Sequence, residues 1–383
     1  METGSRSAVA GGFSDVAVMA NTDPTIDEAF RLEGIRRRAE TIGLCRIHVV
    51  AACTLGLAGD RLTEMAALRE AGAFAFSDDG HPVADSLRMR RVLEWARLLG
   101  AVVITHAEEP GLKGRGQMNE GDVSGRLGVS GMRRECESIA VARDVELAAL
   151  TGAHRPGAHG STARAVECIR DARRRGVKVS AETAPHYLAF TDESVAELGT
   201  HAKMNPPLRT DEDRDALRAA VADGTLEMIA TDHAPHTPDE KSVPLADAPF
   251  GVVGLETSLA ASLTTLHHEE GLPLATVIER LSAAPRRVFG LEPVTLAPGS
   301  PADLVTFDPD AEWTVDPDAF HTKGRHTPFC ATKLKGRVLG TWVAGRRVFE
   351  RSRTEATDGS STGVIHNFIA KEKPALTVAG QIA

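Results

Sequence analysis

Short apolar runs alternate along this chain with longer helical patterns, and that alternation leaves few folds open to it. The runs fall at residues 15–20, 46–51, 73–77, 101–105, 157–159, 177–181 and 227–231. Helical patterns separate them at 62–70, 85–99, 134–150, 162–174 and 211–221, and two more follow at 255–268 and 274–283. Strand and helix in strict succession is the signature of βα units, in which each helix returns the chain so that neighbouring strands lie parallel. Asp85 and Ser86 suit a helix N-cap, while Gly72 and Gly176 suit the residues that follow a helix end. The expected fold is therefore α/β, a TIM-type (β/α)8 barrel. A closed barrel needs eight strands and the runs supply seven, so the first strand is expected to be missing from these residues. Its place would precede residue 15, with residues 1–12 reading as the helix that follows it.

The texture changes after residue 293. TLAPGSPADLVTFDP, the stretch around Trp313 and KLKGRVLGTWVAGRRVF alternate in period two between Gly and Pro turns, the pattern of a small C-terminal β domain. This divides the chain into a barrel over 1–292, a β domain over 293–350 and a loosely ordered polar tail over 351–383.

Composition bounds the partners. The 383 residues carry a net charge of −9, which argues against nucleic acid or an anionic membrane surface, since both select basic patches. No apolar run approaches the roughly 20 residues that span a bilayer. The N-terminus lacks a signal-peptide pattern, and the five cysteines include no Cys-x-x-Cys pair, so a reducing cytoplasm is the expected compartment. Aromatic residues make up only 4%, which leaves Ala, Val, Leu and Ile to build the core.

Chemistry enters at the strand ends. Asp79 follows the third run, His106 ends the fourth, His159 the fifth and Asp232 the seventh. Barrel enzymes assemble their sites from the C-terminal ends of different strands, and imidazole with carboxylate is a ligand set for a zinc-type metal. A single His or Asp at such a place usually caps or hydrogen-bonds; four on four strands at one edge point to a metal site. Asp232 would then move a proton during catalysis. His186 reads as a structural, hydrogen-bonded residue, His233 as pointing off the metal, and the pair His267-His268 as a solvated helical face. Turn chemistry is the competing explanation for Asn21 and Asn205, which stand beside prolines.

The chain resembles class I dihydroorotases, in the cyclic amidohydrolase group of metal-dependent hydrolases. The matching motifs are AGGFSDVAVMANTDP at 10–24, FSDDG at 76–80, THAEE at 105–109 and NEGDVSGRLG at 119–128. They continue with ETAPHYL at 182–188, MNPPLR at 204–209, ATDHAPH at 230–236 and GSPADLVTFDP at 299–309. The resemblance implies Asp79 as a carboxylate bridging two metals, His106 and His159 as ligands of the second metal, and Asp232 as a ligand of the first and the catalytic acid/base. It implies substrate contacts at Asn21, Asn205, His236 and the backbone of Phe250 and Gly251. It also implies up to two Zn2+ per chain and a small-molecule substrate, N-carbamoyl-L-aspartate, cyclised reversibly to L-dihydroorotate in pyrimidine biosynthesis.

One departure qualifies the expectation. The family carries a His-x-His pair and a substrate-binding arginine on its first strand, and no His-x-His occurs here. The first metal would keep only Asp79 and Asp232, so low activity is expected of these residues by themselves. The strand before His159 also reads as weak, since it carries Pro156 and Gly157. A competing reading follows: a non-catalytic dihydroorotase-like partner of aspartate transcarbamoylase, or a homodimer. Cyclic-amide relatives acting on allantoin or hydantoins bridge their metals with a modified lysine, and Asp79 at that place favours the dihydroorotase reading.

Overall fold

In the computed structural model, residues 1–352, 378–379 and 381–382 are described. Seven parallel strands form the barrel wall: Phe13–Val18 (β1), Arg46–Ala51 (β2), Ala75–Phe76 (β3), Thr105–His106 (β4), Arg155–Ala158 (β5), Val179–Thr183 (β6) and Met228–Ile229 (β7). β1, β2 and β3 pair in sequence, as do β4, β5, β6 and β7. The two groups join through a parallel bridge between Phe76 and Val103. Each strand lies within a few residues of its expected run, and β2 coincides with it.

Alternation along β2 shows how the wall is made. Val50 faces inward to a cluster with Ala75, Ile104 and Ala158, whereas Val49 and Ala51 face outward onto helices. Side chains of a strand point to opposite faces in turn, so the doubly covered half of β2, residues 49–51, is apolar at every position. The covering helices include Glu2–Ala10 (α1), Ala29–Ile42 (α2), Met65–Glu70 (α3), Ser86–Leu98 (α4), Glu135–Thr151 (α5), Ala163–Arg174 (α6) and Asp211–Asp223 (α7). The Asp85 side chain caps α4 by accepting from Arg88 N. Leu32 of α2 and Leu93 of α4 are fully buried, and each such side chain contributes about 1.5–3 kcal/mol.

β5 is central despite its sequence. It pairs with β4 on one side and β6 on the other. A Cβ at Gly157 would stand 2.9 Å from Nη1 of the buried Arg155, so the guanidinium would have to shift. The glycine that makes the strand look weak is the one that admits a buried guanidinium.

The small β domain is an antiparallel sheet of Leu304–Thr314 (β8), Lys333–Val343 (β9) and Arg346–Glu350 (β10). β9 and β10 are joined through Ala344 and Gly345, both at positive φ, as a tight hairpin turn demands. Thr341 Oγ1 donates to Val9 O at 2.7 Å and fastens this sheet to α1. Asp303 accepts two hydrogen bonds from Arg46, at 2.7 and 2.9 Å, and fastens it to β2.

Most of the segment 351–383, expected to be a loosely ordered tail, falls outside the described residues; of those described, Val378–Ala379 (β11) pairs with β8, and Gln381–Ile382 (β12) pairs in parallel with β1. Two other expectations, for 255–268 and for the pair within it, are corrected. An edge strand offers a row of free backbone groups, and here residues of the same chain take up part of that row; residues 353–377 lie outside the described ones. The segment 255–268 was expected to be one regular helix. It is instead a short helix, Ser258–Ser262, continuing into a π-helical stretch, Leu263–Glu269. There His267 Nδ1 lies 2.7 Å from Leu272 O and His268 Nε2 2.9 Å from Pro309 O. This pair is half-buried and bonded to backbone, not a solvated face. Helix 29–42 was not legible, because Leu32 and Ala39 are its only buried residues.

Candidate metal centre

Three of the strand-end residues converge. Ligand atoms of Asp79, His106 and His159 all lie within 4.8 Å of one another. His159 Nε2 is 3.0 Å from Asp79 Oδ1, and His106 Nδ1 is 3.6 Å from the same oxygen. The two imidazole rings are 5.8 Å apart. His106 is the last residue of β4 and His159 follows β5, so adjacent strands deliver both rings to the same end of the barrel. On its far side His159 Nδ1 faces Glu182 Oε1 at 3.8 Å without a hydrogen bond.

Backbone conformation marks two of these positions. His159 and Asp232 adopt φ of 45° and 48°, in the left-handed region that residues with a Cβ avoid. Strain of this kind costs about 1–3 kcal/mol and persists where surrounding structure imposes it, often at functional sites. Gly160, next to His159, sits so close to Glu182 O that a Cβ would be 3.2 Å away.

The electrostatics is that of a compact ion cluster. Burial, the largest influence on Asp79, favours its neutral form, but hydrogen bonds and charge from His106 and His159 outweigh it and hold the carboxyl far below the usual range. For His159 burial favours the neutral ring, yet Asp232, Asp79 and Glu182 together raise it to about 10. Burial pushes Glu182 up to about 7, with Asp232 and Asp79 adding to the rise and His159 opposing it. A cation entering such a cluster replaces protons, because ligating imidazoles must be deprotonated.

Asp232 is not part of the three-residue group, but it lines the same cleft as Asp79 and His159. That cleft has a volume of about 1100 Å³, ample for a small polar substrate. His186 lies 3.5 Å from Asp232 Oδ2, and its buried Nε2 has no hydrogen-bond partner among the described residues. The expectation of a hydrogen-bonded structural His186 is not met at this nitrogen, and burial lowers the ring to about 4. His233 turns away, as expected: its Nδ1 accepts from Gly254 N and Leu255 N at 3.1 and 3.3 Å.

The expected substrate contacts divide into two sets. Asn21, His236 and Phe250 line the cleft, and Asn21 Nδ2 lies 3.3 Å from Asp79 Oδ2. His236 Nε2 lies 2.8 Å from Phe250 O. Gly251, at φ 131°, leaves room that a Cβ would fill 2.7 Å from Ala234 O. Asn205 is turned toward His106 and Glu108 instead of the open cleft, with Nδ2 2.7 Å from Glu108 Oε2. Sequence reading passed over Glu108 and Glu182. The one signal was position: Glu108 stands two residues past the end of β4 and Glu182 one residue before the end of β6.

Comparison with known proteins gives a consistent picture. A family model described as dihydro-orotase-like matches residues 1–162, and one described as amidohydrolase family matches residues 137–349. The dihydroorotase of Pelobacter propionicus is 47% identical over 352 residues, covering 92% of this chain and 82% of that protein. The dihydroorotase of Desulforapulum autotrophicum is 45% identical over 351 residues, with the same two shares. Among solved structures, the L-hydantoinase of Arthrobacter aurescens superposes with a TM-score of 0.80 at 24% identity, over 91% of this chain and 80% of that one. The dihydroorotase of Saccharomyces cerevisiae, in complex with 5-fluoroorotic acid, gives 0.70 at 16% identity, over 88% and 92%. These structural likenesses establish the shared fold, an α/β barrel with a C-terminal β domain.

Proposed function

This chain belongs to the dihydroorotase family of cyclic amide hydrolases, and we propose that it interconverts N-carbamoyl-L-aspartate and L-dihydroorotate using zinc. The observation that carries the reading is the convergence of Asp79, His106 and His159 beside a cleft that also holds Asp232. One carboxylate and two imidazoles suit a zinc-type cation, and the shared approach of both rings to one carboxylate oxygen fits a site built for positive charge. When bound, the metal supplies Lewis acidity toward the amide carbonyl and makes water a stronger nucleophile.

The remaining steps fall to side chains. Asp232 takes the proton from the attacking water and returns it to the ring nitrogen as the amide C–N bond breaks; in the cyclising direction it does the reverse. Asn21 offers its amide to the substrate's carboxylate or ring oxygens, while the Gly251 N–H, given to Lys203 O at 3.0 Å, holds the 250–251 backbone beside the cleft. Holding His236 against Phe250 O keeps that loop in place.

The grouping of Asp79, His106 and His159 favours catalysis over the non-catalytic role as a partner of aspartate transcarbamoylase. The test is hydrolysis of L-dihydroorotate by zinc-loaded protein, read as N-carbamoyl-aspartate formed. Turnover that falls by about 10²–10⁴ in Asp232→Asn is expected from loss of a general acid/base. Zinc-loaded protein that leaves L-dihydroorotate untouched would overturn the assignment.

A further inference from the structure

His106 has two ring nitrogens in different surroundings. Nδ1 faces Asp79 at 3.6 Å and so belongs to the ligand group. Nε2 faces Glu108 Oε2 at 3.5 Å. Glu108 is almost fully buried, at 5% exposure, which is unusual for an acid and calls for partners. It has them: Lys113 Nζ donates to Oε1 at 2.8 Å and Asn205 Nδ2 donates to Oε2 at 2.7 Å.

We infer that Glu108 is a positioning residue that holds the ring of His106 and the amide of Asn205 in place, and so couples the metal ligand to the substrate face. A neutral imidazole carries one N–H, and its partner decides which nitrogen bears it. With a cation held between Nδ1 and Asp79, the N–H is left on Nε2, where Glu108, an ionised carboxylate that only accepts, would receive it. A carboxylate behind a ligating histidine is a general device for fixing the ring and strengthening its donation.

The same oxygen resolves a conflict. Asn205 Nδ2 is 3.1 Å from His106 Nε2, and both would be donors. Glu108 Oε2 accepts from the amide and draws the ring proton too, so one acceptor serves two neighbouring donors. With its Nδ2 so engaged, Asn205 keeps Oδ1 buried and without a hydrogen-bond partner among the described residues. Lys113 balances the charge of Glu108 and extends the network, its ammonium lying 5.4 Å from the centre of the Phe250 ring. A single buried acid thereby touches a metal ligand, an amide implied in substrate binding and, through Lys113, the loop of Phe250.

This inference rests on the metal-centre reading but not on the identity of the substrate, and its test separates the two. Nitrogen-15 imidazole shifts of zinc-loaded protein, assigned with His106→Gln, report which His106 nitrogen carries the proton. The expected result is an Nε2-bound proton with Nδ1 as the metal-facing nitrogen; a proton on Nδ1 overturns the proposal without any variant of Glu108 being needed. In Glu108→Gln, zinc affinity measured by chelator competition is expected to fall about 10–100-fold, with Glu108→Asp intermediate. Unchanged affinity and an unchanged His106 signature in a folded Glu108→Gln protein would also overturn it. Should the parent bind zinc with the expected tautomer yet fail to hydrolyse L-dihydroorotate, the functional assignment falls and this inference stands.

Discussion

His159 Nε2 lies 3.0 Å from Asp79 Oδ1, joining the end of the fifth strand to the loop after the third. Between them stands His106 from the fourth strand, so three consecutive βα units meet at one carboxylate. No local stretch of sequence contains this contact; parallel strand order creates it. The expectations below follow from that arrangement and from the packing that supports it.

Arg155 is fully buried on β5, and its partner is Asp144 of α5, at 3.3 Å. Asp144 also accepts from Arg143 at 2.7 Å. Removing the acid strands a guanidinium whose Nε and Nη1 already lack partners among the described residues. Asp144→Ala is expected to cost about 3–5 kcal/mol in urea unfolding. A loss under about 1 kcal/mol, the range of exposed ion pairs, would show that the pair is not structural.

A pH-dependent fastening joins the C-terminal segment to the barrel. Glu256 accepts from Ser7 Oγ at 2.8 Å and lies 3.0 Å from His321 Nδ1. The hydrogen bond with Glu256 raises the His321 ring above its ordinary value, with Arg351 and Arg6 opposing. A raised folded value means the native state holds the proton more tightly, so the stabilisation is complete below about pH 6.5 and is lost as pH rises through the folded value. The His321 side chain is 40% exposed, so solvent screening keeps the effect modest. The melting temperature should fall between pH 6 and 8.5 by more in the parent than in His321→Gln; equal slopes would contradict the assignment.

Gly251 is needed for two reasons, its φ of 131° and the 2.7 Å that a Cβ would keep from Ala234 O. The same Cβ would stand 3.1 Å from His236 Nε2. Gly251→Ala should therefore displace the 250–251 backbone and raise KM for L-dihydroorotate more than it lowers kcat. A variant with unchanged KM would remove this loop from the account of substrate binding.

Legibility from sequence followed how local each signal was. β2 was read to the residue because its buried half, Val49 to Ala51, is apolar on both faces and needs no partner to be recognised. Asp79, His106 and His159 were legible as strand-end residues, and strand order did the rest. The engagement of Asn205 Nδ2 by Glu108 was not legible, because the partner lies 97 residues away. Glu182 was missed for the same reason: its relation to His159 exists only across two paired strands. The π-helical turn at 263–269 was hidden because it depends on packing, with Leu263 set against Gly336 so closely that a Cβ there would be 2.7 Å away.

The most direct test of the central claim is the zinc content of purified protein after dialysis into metal-free buffer, beside Asp79→Ala. The account predicts at least about one zinc per chain retained by the parent and lost from the variant, as three converging ligands require. Equal zinc in both, or none in either, would contradict a metal centre at Asp79, His106 and His159.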